Sequence, residues 1–122
     1  MRRLNKIKND NKYKEDHKKL LTDLLLCPGV QLPMASTLLR FRNPSLFQII
    51  DQRVYRLLKG KELSLPKHNS AKVRQLKCNA YFDYLEILKE KCNDLSIPFD
   101  QADRILYKAD KRINKEVKLN NY

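Results

Sequence analysis

The chain has 122 residues, with 26 Lys and Arg against 14 Asp and Glu, for a formal charge of +12. That length accommodates one small domain and excludes two domains with a deep cleft between them. The charge favours a polyanionic partner, nucleic acid being the commonest; a base-composition bias of the genome is the other source of so many lysines.

No run approaches the ~18 apolar residues of a membrane span, and the charged start is not followed by the apolar core of a signal peptide. A soluble, cytoplasmic protein without membrane contact is therefore expected. Two glycines and no long alternating runs argue against a sheet. Leu, Lys, Glu and Ala at helical spacing predict an all-α fold of about five helices in one domain over residues 13–115. Residues 1–12, basic and poor in apolar groups, and residues 116–122 read as loose ends.

In chain order, the first helix is expected from about Tyr13 to Leu26, burying Leu20, Leu21, Leu24 and Leu25. Pro28-Gly29 ends it, because proline cannot continue the ladder and glycine takes a positive φ without steric penalty. A second helix begins near Pro33, where a missing N–H costs nothing, buries Ala35, Leu38 and Leu39, and stops before Asn43-Pro44. Asp51 opens a third helix with Ile50, Val54, Leu57 and Leu58 at helical spacing, and Gly60 closes it. The stretch from Lys61 to Asn69, with Pro66 and a basic pair at Lys67-His68, reads as a loop. Ser70 caps a long helix to about Leu95 that buries Tyr81, Leu85, Leu88, Cys92 and Leu95. After Ser96-Ile97-Pro98, a last helix carries Ala102, Ile105, Leu106, Ala109 and Ile113.

The three cysteines form no metal or disulfide signature. Cys78 and Cys92, 14 residues apart on one helix, are separated by roughly 21 Å along its axis, too far to bridge. All three read as buried thiols, and with His17 and His68 as the only histidines no zinc site is expected.

The hairpin between the first two helices carries the chemistry. A tight turn that opens a helix directs several N–H groups at one phosphate oxygen, whatever the base. Here Pro28, Gly29, Val30 and Gln31 form the turn, Gly29 and Gln31 supply donors, and Arg40 and Arg42 add charge. The competing reading is an ordinary αα-hairpin.

Leu26-Cys27-Pro28-Gly29-Val30-Gln31, the small-residue step Met34-Ala35-Ser36, and Phe47-Gln48-Ile49-Ile50-Asp51 followed by Arg53-Val54 together resemble the core of the helix-hairpin-helix base-excision DNA glycosylases. The resemblance covers about 35 residues, Leu24 to Leu58. It implies duplex DNA as partner and Asp51 as the catalytic carboxylate that stabilises the oxocarbenium ion, or activates water, as the N-glycosidic bond of a damaged or mispaired base breaks. Asp is also a favoured helix N-cap, and the two roles are compatible. The second glycine of the family's hairpin is Gln31 here, which weakens close phosphate approach. Pro33 stands where strand-cleaving members have a lysine nucleophile, so the resemblance implies the monofunctional type. The four-cysteine spacing of iron–sulfur members is absent, and no cofactor is expected. Only about a dozen helical residues are expected before the hairpin, so Tyr55, Tyr81, Phe82, Tyr84 and Tyr107 are left either to line a reduced base pocket or to fill the core. The alternatives are a non-catalytic helix-hairpin-helix module that binds DNA nonspecifically and serves a partner, and a helical protein–protein adaptor.

Overall fold

A computed structural model describes Ile7, residues 15–66 and residues 70–113. The described residues form five α-helices and no strand: α1 (Glu15–Leu26), α2 (Leu32–Arg42), α3 (Gln52–Lys59), α4 (Ala71–Leu95) and α5 (Ala102–Ile113), with a 3-10 turn at Phe99–Gln101 before α5. The expected loose ends, apart from Ile7, and the basic pair Lys67-His68 lie outside these residues. No described helix is long and apolar enough to cross a membrane.

Each helix boundary has a local cause. Glu15 and Asp16 sit in the first turn of α1, where carboxylates oppose the positive end of the helix. The Asp51 carboxylate accepts the Arg53 N–H at 2.7 Å to cap α3, and Ser70 Oγ accepts the Val73 N–H at 3.2 Å to cap α4. Gly60 closes α3 at φ +75°. α4 ends instead on Ser96 at φ +55°, a non-glycine in the left-handed region, while the Ile97 N–H reaches back to the Cys92 carbonyl at 2.9 Å.

α4, 25 residues and about 36 Å long at 1.5 Å per residue, is the axis of the domain. α1 packs on it and on α2, while α3 packs between α4 and α5. Leu21, Leu39, Phe47, Tyr81, Leu85 and Leu88 are sealed at the centre. The His17 ring meets the Phe47 ring edge-on at 5.2 Å in the same interior.

Several burial expectations need correcting. Ile7, in the stretch read as loose, is buried, and its carbonyl accepts the Asn43 side-chain N–H at 2.7 Å. An apolar side chain gains by covering the core, and the buried Asn43 amide needs an acceptor. Cys27 is exposed rather than buried, because the apolar stripe of α1 ends at Leu25 and Cys27 already belongs to the turn. Leu95, Ile105 and Ile113 are exposed, each lying past or beside the face its helix turns inward. Leu38 is also outward. With Met34 and Phe41 it forms an exposed apolar line at i, i+4 and i+7 on α2, opposite the buried Leu32, Ala35, Ser36 and Leu39.

Candidate functional site

The link from α1 to α2 is a four-residue turn in which the Val30 N–H donates to the Cys27 carbonyl at 3.1 Å. Pro28 occupies the second position and Gly29 the third at φ +81°, the arrangement of a type II turn, which only glycine adopts readily. A Cβ built on Gly29 meets nothing within 4 Å, so the glycine is required by its backbone angle and the space in front of it is open. Gln31 then enters α2 in extended conformation without a side-chain cap, and Pro33 in the first turn has no N–H. Pro28, Gly29 and Gln31 face solvent, whereas Val30 packs partly against the core.

The two arginines expected beside the turn have different fates. Arg42 is half-buried at the end of α2, where a cation suits the negative end of the helix. Arg40 is engaged elsewhere: its Nε donates to the Asp103 carboxylate at 3.2 Å and its guanidinium to the Asp100 carbonyl at 3.0 Å. It ties α2 to the start of α5. Sixty-odd residues separate these groups in the chain, and local pattern cannot reveal such a pairing.

Asp51 terminates an extended segment held from several sides. Ser36 Oγ, on the buried face of α2, donates to the Pro33 carbonyl at 2.8 Å and accepts the Ile50 N–H at 3.1 Å. Tyr81 Oη donates to the Gln48 carbonyl at 2.8 Å, and Tyr84 Oη to the Ile49 carbonyl at 3.2 Å. The fully buried Gln48 side chain donates to the carbonyls of Pro44 and Phe47 and accepts the Asp103 N–H. Buried backbone polar groups must be paired, and here side chains of α2 and α4 supply the partners that a sheet would otherwise provide. Asp51 is consequently presented half-exposed on a rigid support.

The aromatics divide. Tyr81 and Tyr84 are sealed in the core. Burial first, then the charges of Asp51 and Asp103, push the Tyr84 phenol upward from its ordinary value. Tyr55 stacks on Tyr84 with ring centres 6.3 Å apart, and Phe82 and Tyr107 lie partly buried against the same core.

Sequence reasoning missed a buried ionic cluster between α3 and α5. Asp110, with no exposed surface, accepts from Arg56 in a fork, Nε to Oδ1 at 3.3 Å and a terminal nitrogen to Oδ2 at 2.9 Å. An Arg53 terminal nitrogen stands 3.5 Å from the same carboxylate. The signal was present: Asp110 falls at i+8 from Ala102 and i+4 from Leu106, on the stripe that α5 buries. Among the described residues no group of three or more His, Cys, Asp or Glu is placed to hold a metal ion.

No family model, no curated protein and no solved structure matches this chain.

Proposed function

We propose that this protein binds duplex DNA through its helix-hairpin-helix, and that Asp51 serves the hydrolytic release of a damaged or mispaired base without cleavage of the strand. One observation carries the reading. The turn at Gly29 and the segment that ends in Asp51 are both anchored on α2, through Gln31 at its start and through Ser36 Oγ to the Ile50 N–H at 3.1 Å. A single short helix thereby couples an anion-binding end to a carboxylate, the juxtaposition that base removal from a bound strand requires. Departure of the base leaves positive charge on the sugar, which a fixed carboxylate offsets without reorganising, and water supplies the incoming oxygen.

The experiment is base release from duplex oligonucleotides carrying different lesions, followed by alkali to reveal abasic sites. Parent protein should release one of them. Asp51→Asn should abolish release while leaving DNA affinity equal or higher, since a negative charge near the phosphates is removed. Because asparagine caps helices about as well as aspartate, the melting temperature should hardly move. Full activity in Asp51→Asn would overturn the assigned role.

A second reading, a DNA-binding module without catalysis that serves a partner, draws on two particulars. Asp51 already has a structural occupation as the cap of α3. Met34, Leu38 and Phe41, exposed at 53%, 37% and 83%, leave α2 apolar on its outer side as well as its inner one, and contiguous exposed apolar residues mark contact surfaces. Parent protein that binds DNA yet releases no base would select this reading.

A further inference from the structure

At the seam between α3 and α5, two arginines of α3 meet one buried carboxylate of α5, Asp110. Arg56 holds both oxygens of Asp110 in a fork at 2.9 and 3.3 Å, so the strongest geometry available to that buried anion is taken. Arg53 is left with one longer contact, 3.5 Å, to Asp110. Its Nε is buried with no hydrogen-bond partner among the described residues, although the guanidinium as a whole is partly exposed. Next to Asp110 in the chain, Lys111 is exposed and forms no ion pair among the described residues. Both cations are held by the same aromatic ring: Arg53 Cζ lies 5.6 Å and Lys111 Nζ 5.1 Å from the centre of Tyr107.

Both cations therefore flank one ring, and their mutual repulsion favours a further anion beside it. Tyr107 is half-buried, so its edge reaches the same surface. An exposed ammonium, a partly exposed guanidinium and an aromatic face form the set of groups that takes a phosphate of a nucleic-acid backbone, charge to charge, without reading a base. The position is also informative. The Arg53 backbone N–H is the one that the Asp51 carboxylate accepts, at 2.7 Å. A phosphate held by the Arg53 side chain therefore lies beside the turn of α3 that Asp51 caps, on a different helix pair from the hairpin.

We propose that Arg53, Tyr107 and Lys111 form a second phosphate site, which takes a backbone phosphodiester of duplex DNA next to Asp51. The proposal rests on the DNA-binding reading and adds a contact that the hairpin does not supply. With both sites engaged, the strand is fixed at two points, and Asp51 stands at one of them. A lone hairpin contact would leave the duplex free to pivot.

The test is the salt dependence of binding, read by fluorescence anisotropy with a short labelled duplex of arbitrary sequence. Lys111→Gln changes an exposed side chain that holds no structural ion pair among the described residues. It should make the slope of log affinity against log salt shallower by about one unit, the loss of one phosphate contact. Arg53→Gln should act in the same direction, with circular dichroism to establish that the helices persist. Lys91→Gln, an exposed lysine on α4, a helix that supplies no residue to the proposed site, is the reference for loss of one charge elsewhere. If parent binds with a steep slope and Lys111→Gln behaves as Lys91→Gln does, the second site is wrong and the hairpin reading stands. If parent does not bind duplex, or binds without salt dependence, the DNA-binding reading itself fails and the site falls with it.

Discussion

Tyr84 shows how one buried hydroxyl couples the candidate site to stability. Its hydrogen bond to the Ile49 carbonyl requires the protonated phenol, and burial together with Asp51 and Asp103 raises its titration above the ordinary 10.0. Above that value the unfolded chain loses the proton while the folded chain keeps it. The stability owed to Tyr84 is thus complete below about pH 10 and declines as pH rises further. Tyr84→Phe should cost about 0.5–1.5 kcal/mol at neutral pH, the net worth of a hydrogen bond. Urea unfolding at a series of pH values should show the gap between variant and parent closing above pH 10; a constant gap would show that the phenol does not titrate with unfolding. Cysteine exposure supplies a second check at this scale. Cys27 is exposed, whereas burial pushes the thiols of Cys78 and Cys92 up and so holds down their thiolate. Ellman's reagent should titrate one thiol in the native protein and three after unfolding.

At the scale of elements, the hairpin and the α3–α5 seam respond to substitution for different reasons. Gly29 sits at φ +81° with open space where a side chain would go, so any loss comes from backbone strain rather than from a clash. Gly29→Val should cost on the order of 1–3 kcal/mol and weaken DNA binding. A variant that melts and binds like the parent would remove the hairpin assignment. At the seam, Asp110 is enclosed and Arg56 nearly so, with Arg53 more open. Asp110→Asn preserves shape but leaves Arg56 without its counter-charge, and removing one partner of a buried pair costs about 3–5 kcal/mol, toward the lower end here because Arg53 reaches water. Chemical denaturation should place Asp110→Asn well below the parent, and below Arg40→Gln, whose ion pair with Asp103 is less enclosed.

For the whole molecule, net charge governs encounter with a partner, and the proposed function fixes which covalent chemistry to expect. A protein of +12 accelerates encounter with a polyanion, and its binding should weaken steeply as salt rises because phosphate contacts release counterions. Trapping an enzyme on DNA with borohydride needs an amine that has formed a Schiff base with the sugar. In the proposed function Pro33, which carries no amine, stands where strand cleavage would need a nucleophile. Intact-mass analysis after borohydride treatment on lesion-bearing duplex should therefore show unmodified protein, and a covalent adduct would overturn the monofunctional assignment.

Much of the architecture was legible in the chain because helices are local objects. The Pro28-Gly29 break, the caps Asp51 and Ser70 and the stop at Gly60 each act within a few residues, so sequence by itself determined an all-α fold and where its helices begin and end. It also singled out Gly29 through turn chemistry, and Asp51 as a favoured cap ahead of a helical stripe. What surrounds Asp51 was decided only by tertiary structure. Ser36 to Ile50, Tyr81 to Gln48, Tyr84 to Ile49 and Arg40 to Asp103 join groups 14, 33, 35 and 63 residues apart, and such pairings depend on how helices cross rather than on any repeating pattern. The same reason made Arg40 a tie between α2 and α5, and made Tyr81 and Tyr84 supports for a segment whose backbone has no helix or sheet of its own to satisfy it.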